Sequence, residues 1–369
     1  MSRIGPLLVL AAALAAAGCS GESDTRAPAT TAAAEDEAAR GFDEEWKTDF
    51  AKHSVPLTGF VSGGPGKDGI PALDDPKFET VAEASTWIED KEPVIELELE
   101  GEARAYPLQV LIWHEIVNDE VADVPVAVTF CPLCNTALVF DRRVGDRVLD
   151  FGTTGYLRNS DLVMYDRQTE SWWQQFGGEA LVGELVGTEL ELVPSRIVAW
   201  RDFERAHPDG KVLSRETGIP RPYGRNPYTG YDDVTSPPFI PTENADDQRL
   251  LPKERVVYVV RNDEAVAVPL SALAKAKRME VDVGGEPLVV EWVPGVRSAL
   301  DHAAIAAGRE VGSARVQTVA GKPVAFDLPF WFAVAAFRPH VRVVGRPTAQ
   351  GASERTDRTR TPGLLPVQS

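Results

Sequence analysis

Three side chains of this 369-residue chain have the types and spacing of ligands to a soft metal ion. Cys131 and Cys134 are separated by a proline and a leucine, and His114 stands 17 residues before the first cysteine. Thiolate sulfur and imidazole nitrogen are soft or borderline ligands, which favours copper(I) or zinc over hard cations. The sequence therefore predicts a copper or zinc site at His114, Cys131 and Cys134, with one coordination position left open.

Two other interpretations of the cysteine pair remain open from the residues alone. A disulfide between Cys131 and Cys134 would pin a turn in an oxidising compartment and carry no activity. A redox-active dithiol would make the protein a thiol oxidoreductase. Such a thiolate is usually stabilised by a helix N-terminus, whereas residues 136–140 have a strand pattern. If a metal is bound, the protein could also be a metal-assisted enzyme. His114 taken alone is typical of a histidine on a helix face that is no metal ligand.

An internal repeat separates the scaffold of the chain from its candidate site. Residues 92–138 match residues 254–300 without a gap, with 8 of the first 20 positions and 5 of the last 14 identical. The second copy keeps prolines and apolar residues but replaces the three candidate ligands by Ala276, Val293 and Val296. Further along, Phe203 matches Phe337, so the second copy is expected to be shorter by 28 residues. The pattern predicts one unit with a site and one degenerate unit.

The elements around the cysteines follow from hydrophobic periodicity. Residues 94–99 and 103–106 have the alternation of a hairpin, and Pro107 suits the first turn of a helix that is expected to end at Asn118. Strand-like runs at 126–130 and 136–140 then flank the cysteine turn. The predicted fold class is α+β and β-rich, made of two similar strand-strand-helix-strand-strand units, the second degenerate.

A second polar group follows the cysteines in the first copy. It combines Asp161 and Arg167 with two adjacent tryptophans, Trp172 and Trp173. Hydrogen-bonding groups beside aromatic rings can line a ligand pocket, and we expect this one next to the cysteines. A twisted hairpin with half-buried aromatic residues is the structural alternative.

The N-terminal residues predict export and a lipid anchor. An apolar run closes with Ala16-Ala-Gly-Cys19, which is typical of a bacterial lipoprotein signal peptide at 1–18 with Cys19 as the lipidated residue. An ordinary signal peptide is the alternative. Residues 19–45 and 347–369 have little to bury and are predicted to be a disordered tether and a disordered tail. The protein is thus expected outside the cytoplasm, attached to the membrane by lipid.

Between these ends, the chain is divided into two units and a linker, and its net charge excludes anionic partners. We assign 46–213 to the first unit with the Cys/His site, 214–253 to a linker loop and 254–346 to the second unit. The net charge is −18, without a cluster of Lys and Arg. Nucleic acid and anionic membrane surfaces are therefore excluded as partners, because phosphates must be met by clustered basic residues. The sequence identifies no protein or small-molecule partner.

Several long motifs carry a family resemblance. They are Lys52–Pro56, Gly64–Asp75, His114–Asp119, Val128–Ala137 and Phe151–Ser171. Together they resemble the bacterial and archaeal family catalogued as domain of unknown function 3179, over about Phe50 to Val344. The resemblance implies export and a shared fold, and it implies no mechanism.

Overall fold

The structure is a computed structural model that describes residues 29–42 and 45–345. It is β-rich with few helices, 38% strand and 15% helix, as the sequence predicts. The predicted signal peptide, with Cys19, and the predicted tail from 347 lie outside the described residues. Within the described ranges, no helix is both long and apolar enough to span a bilayer.

The helices are short apart from the first. They are α1 Ala29–Phe42, α2 Val81–Ala84, α3 Leu108–His114, α4 Trp200–Ala206, α5 Leu270–Ala276 and α6 Trp331–Phe337, with single 3₁₀ turns at Leu57–Gly59 and Ile305–Ala307.

The strands are numbered in chain order. They are β1 Val61–Ser62, β2 Phe78–Thr80, β3 Pro93–Leu99, β4 Glu102–Pro107, β5 Ile116–Val121, β6 Val124–Cys131, β7 Thr136–Asp141, β8 Arg143–Val144, β9 Arg147–Val148, β10 Phe151–Arg158, β11 Asp161–Asp166, β12 Trp172–Gln174, β13 Ala180–Val182, β14 Leu192–Val193, β15 Ser195–Ala199, β16 Lys211–Leu213, β17 Val256–Arg261, β18 Glu264–Pro269, β19 Arg278–Val283, β20 Glu286–Val293, β21 Ser313–Thr318 and β22 Arg342–Val343.

Five small sheets are arranged like the blades of a five-bladed propeller. In order of hydrogen-bonded neighbours they are sheet A (β1-β10-β11-β12-β13), sheet B (β14-β7-β6-β5), sheet C (β15-β3-β4-β16-β2), sheet D (β17-β18-β22) and sheet E (β19-β20-β21). A sixth, two-stranded ribbon joins β8 to β9. Sheet B has neighbours on both sides, because β5 contacts β10 of sheet A and β7 contacts β15 of sheet C. Strands β6 and β7 are accordingly buried almost throughout.

Element bounds in the first half recur in the second half. β4, α3, β5 and β6 reappear as β18, α5, β19 and β20, each shifted by 162 residues at both ends. The backbone agrees in detail: Glu115 and Lys277, which follow the two helices, have left-handed φ angles of 59° and 66°. In each half the first hairpin belongs to one sheet and the second hairpin to the next sheet. The expected offset further along needs correction, because Trp200 and Trp331 open helices of equal length and are 131 residues apart.

The helix expected to reach Asn118 ends at His114 instead. Glu115 leaves the helical region, and Ile116 begins strand β5, whose Asn118 and Asp119 are paired with β6. The sequence offers a helical spacing through Ile116, but pairing with β6 and contact with β10 of sheet A bury five of the six residues as a strand. A further strand, β7 or β21, completes each second hairpin. In both segments the order of helices and strands is therefore strand-strand-helix-strand-strand-strand.

Part of the predicted tether is also ordered. Residues 29–42 form α1, whereas we expected residues 19–45 to be disordered. The Ala- and Glu-rich composition favours a helix. Its end is fixed because Phe42 packs against Phe50 and Trp172, with ring centroids 5.1 Å away in both cases. Glu35 also accepts a hydrogen bond from the backbone amide of Leu57 at 2.6 Å.

The predicted linker is a long segment without helix or strand that joins the two halves of the ring. Ser160 exchanges hydrogen bonds of 2.8 Å with the backbone of Ile240. At the other side, the amide of Gly230 donates to Asp301 at 2.7 Å. The segment is therefore held against both halves and passes over the region of the cysteines.

Candidate metal centre

The cysteine turn is held by its own strands and by the second half of the chain. Cys131 ends β6 and Thr136 begins β7, and Asn135 takes a left-handed φ of 58° between them. The Asn135 side chain donates to the carbonyl of Leu328 at 2.7 Å. The amide of Phe330 donates to the carbonyl of Cys134 at 2.8 Å. Contacts from far along the chain thus fix the turn that carries both thiols.

An aspartate from the neighbouring sheet completes the cluster. Ligand atoms of Cys131, Cys134 and Asp161 all lie within 4.8 Å of one another, and the three residues are buried. The Cys134 thiol donates to Oδ1 of Asp161 at 2.7 Å. Both cysteines are free thiols in the described structure. We call these three residues the thiol–carboxylate cluster.

Neighbouring polar groups orient the cluster. Oδ2 of Asp161 accepts hydrogen bonds from the Gln174 side chain at 2.5 Å and from the amide of Phe176 at 2.8 Å. The Thr136 hydroxyl lies 3.0 Å from Sγ of Cys134 and donates to Gln175. One oxygen of Asp161 is therefore fixed by the protein, while the other faces the sulfur. Such contacts set ligand orientation in metal sites.

The electrostatics of the cluster favour a cation. Burial raises the pKa of Asp161 to about 6 and that of Glu115 to about 8. Burial also raises the pKa of Cys131, and it raises the pKa of Cys134 well above its usual value. Neighbouring acids add to these increases, because the charge of Asp161 also raises the pKa of Glu115 and of both thiols. A positive ion at the cluster would reverse these effects, because it stabilises every ionised ligand.

His114 does not join the cluster. Its Nδ1 lies 2.8 Å from the carbonyl of Pro71, and its Nε2 lies 2.7 Å from the hydroxyl of Tyr223 in the linker. The ring is buried, and this burial lowers the pKa of His114. Both ring nitrogens therefore serve as structural hydrogen-bonding groups. The structure brings together two of the three predicted metal ligands and adds Asp161.

The four residues that were predicted to line a pocket do not lie together in the structure. Of the four, Asp161 alone has a hydrogen bond to the cysteines in the described structure. Arg167 is partly exposed and pairs with Asp74 at 3.0 Å. Trp172 belongs to the aromatic cluster around Phe42, whereas Trp173 packs elsewhere, in the main core. The alternative of a hairpin with packed aromatic residues therefore describes these two tryptophans better.

Sequence reasoning missed two buried acids near the cluster. Glu115 follows His114 directly, and Asp327 comes from the second half of the chain. Burial, together with the charge of Asp161, raises the pKa of Asp327 to about 7. No motif marks either residue as functional. For Glu115 the only signal was its place beside a predicted ligand.

A cavity larger than any space at the cluster lies elsewhere in the described structure. It has a volume of about 500 Å³ and is lined by residues of β3, β15 and β21, with no member of the cluster. Its wall mixes Glu96 and Glu98 with Arg196 and Arg315. Glu96 and Arg196 already pair with each other at 2.7 Å. This cavity is therefore separate from the thiol–carboxylate cluster, and two of its charged side chains already neutralise each other.

A propeller-like ring of small sheets with a buried thiol–carboxylate cluster defines the class of this protein. The chain belongs to the family described as protein of unknown function DUF3179, whose model matches residues 67–341. This membership agrees with the motifs found in the sequence. No curated protein and no solved structure matches the chain.

Proposed function

We propose that this protein binds one soft or borderline metal ion through Cys131, Cys134 and Asp161. The observation that carries the proposal is the convergence of two sulfurs and one carboxylate oxygen within 4.8 Å in a buried site. Isolated buried acids are costly, and a bound cation offsets that cost. The ion takes the place of thiol protons, so binding strengthens as pH rises.

Zinc fits this ligand set better than copper(I). Zinc accepts sulfur at about 2.3 Å and carboxylate oxygen at about 2.0–2.2 Å in tetrahedral sites. Copper(I) prefers soft ligands, and the oxygen of Asp161 is a hard one. Three protein ligands leave one zinc position for water or another molecule.

The open position favours metal-assisted catalysis as a second candidate function. Zinc sites with three protein ligands are typical of catalytic rather than structural zinc. A thiol oxidoreductase has less support, because burial raises the pKa of both thiols and Thr136 begins a strand instead of a helix. A reactive thiolate needs the opposite conditions.

Elemental analysis combined with a thiol count tests the metal proposal. The protein is purified without chelator, and we expect one zinc per chain and two reduced thiols. Cys134→Ser is expected to lose the metal. His114→Ala serves as the matched control, because its ring is committed to Pro71 and Tyr223. Metal-free protein with both thiols oxidised would instead support a structural disulfide and overturn the proposal.

We also propose that the chain arose by duplication of one unit and that it acts outside the cytoplasm, anchored through Cys19. The 162-residue shift in element bounds and the similar left-handed φ angles after α3 and α5 support the duplication. The second unit lacks the thiols and contacts the turn of the first through Leu328 and Phe330. The lipoprotein pattern before Cys19 supports the anchor.

A further inference from the structure

A small pocket adjoins the thiol–carboxylate cluster. Its volume is about 100 Å³, and its lining includes Glu115, Leu133, Leu162, Tyr228 and Phe239. Leu133 lies between the two cysteines, and Leu162 follows Asp161 in the chain. The charges of Glu115 and Cys131 both add to the effect of burial in raising the pKa of Tyr228, so these groups lie near one another. Residues adjacent in sequence to the cluster therefore form part of the pocket wall, although the cysteines and Asp161 do not line it themselves.

Glu115 directs a buried carboxyl group into this pocket. The residue is only 6% exposed, yet its side chain makes no hydrogen bond or ion pair within residues 29–42 and 45–345. Neither of its oxygens is among the fully enclosed polar atoms that lack a partner, so the carboxyl group meets the pocket space. A buried carboxyl without partners is destabilising, and it indicates a ligand that supplies the missing contact.

The backbone does not explain a glutamate at this position. Glu115 and Lys277 occupy the same place after α3 and α5, with φ angles of 59° and 66°. Lys277 is exposed and chemically opposite, so this left-handed position accepts other side chains. The carboxyl group of Glu115 is therefore specific to the half of the molecule that carries the thiols.

We propose that Glu115 is a transient cation-binding residue through which the metal ion reaches Cys131, Cys134 and Asp161. This inference rests on the proposed metal function. The two cysteines are at most 1% exposed, so an ion cannot reach both sulfurs directly from water. A hydrated divalent cation enters the pocket and exchanges one water for Glu115, whose carboxyl proton leaves to water as the carboxylate binds. The ion then passes to the cluster, where it replaces the two thiol protons, which also leave to water. Glu115 is released and takes up a proton from water again.

The outer wall of the pocket suits such a route. Phe239 belongs to the linker and is 53% exposed, and Tyr228 comes from the same segment. Neither residue lies on the strands that carry the ligands, so a rotation of the exposed Phe239 ring would widen the pocket without disturbing those strands. The pocket volume fits a metal ion with a few water molecules better than a large organic ligand.

Rapid-mixing experiments with cadmium test the route, because thiolate–cadmium absorbance reports arrival at the cysteines. In the full-length Glu115→Gln variant we expect association and dissociation both to slow by about tenfold, with the dissociation constant unchanged, since one charge-assisted contact is lost only during passage. Glu120→Gln, an exposed glutamate on β5, is the matched control and should keep wild-type rates. Phe239→Ala widens the pocket and should accelerate both rates.

Three outcomes distinguish the possibilities. Wild-type rates in Glu115→Gln overturn the route through this residue and leave the metal site intact, whatever the rates in Phe239→Ala. A weaker dissociation constant in Glu115→Gln with an unchanged association rate makes Glu115 a permanent ligand, which also overturns the transient role. Absence of cadmium binding by the wild-type protein overturns the proposed function itself.

Discussion

The Cys134 thiol donates a hydrogen bond of 2.7 Å to the carboxylate of Asp161, although the two residues belong to different sheets. Cys134 lies in the turn between two strands of sheet B, and Asp161 begins a strand of sheet A. A turn in which Asn159 and Ser160 both have left-handed φ angles precedes that strand, and Asp161 is the first residue after the turn. This pair defines the candidate site, and it is where a metal ion would replace a proton.

The first prediction concerns the third ligand. Asp161→Asn removes the only carboxylate of the cluster but keeps the side-chain size, so metal affinity should fall by about 10- to 100-fold. Competition with a chromophoric chelator measures this loss. His114→Ala should change affinity by less than about threefold, because its ring nitrogens are bonded elsewhere. Equal losses in the two variants would contradict the placement of Asp161 as a ligand.

The second prediction concerns pH and the stability of the metal-free protein. Burial, with the charge of Asp161, raises the pKa of Asp327 from 3.8 to about 7. The folded chain therefore holds this proton more tightly than the unfolded chain. Its contribution to stability is fully present below about pH 4 and is lost as pH rises to about 7. A shift of about three units corresponds to at most about 4 kcal/mol.

Urea unfolding with chelator at about pH 5 and pH 8 checks this prediction. Asp327→Asn cannot ionise and keeps an acceptor for the amides of Ala137 and Leu328, so its free energy of unfolding should depend less on pH. Asp146→Asn, at an exposed turn, is the control and should retain the wild-type dependence. A variant at position 327 with the full wild-type pH dependence would refute the argument.

The third prediction concerns the membrane anchor. Cys19→Ala removes the residue expected to carry the acyl chains, which would supply the attachment because the acidic N-terminal segment cannot. We expect the variant to move from the membrane fraction to the soluble fraction after cell fractionation. Membrane association equal to that of the wild-type protein would rule out lipid anchoring through this cysteine.

The fourth prediction concerns helix α1. Phe42 is buried and packs against Phe50, Tyr156 and Trp172 with ring centroids 5.0–5.1 Å away. Phe42→Ala should lower the free energy of unfolding by about 3 kcal/mol, because a large ring leaves the aromatic cluster. Phe239→Ala, at a half-exposed ring, should change it by less than about 1 kcal/mol. A negligible effect at Phe42 would show that α1 does not contribute to the stability of the folded domain.

The end of helix α3 and the existence of helix α1 could not be predicted from the sequence. Leu108, Leu111 and Ile112 predict α3, but the left-handed backbone of Glu115 has no signal in residue type. Lys277 takes the same conformation, so the path of the backbone, and not the type of side chain, determines this left-handed residue. Helix α1 was missed for a different reason: its segment has a low hydrophobic content, and its buried aromatic anchor, Phe42, stands only at the end of the helix.

The sequence by itself determined the family, the β-rich class, and the strand-turn-strand that holds Cys131 and Cys134. These features depend on local alternation and on residues close together in the chain. Only the tertiary structure decided that Asp161, and not His114, faces the sulfurs. The reason is physical: the orientation of a buried side chain depends on which sheets pack together. Sheets A and B meet through contacts that no local pattern encodes.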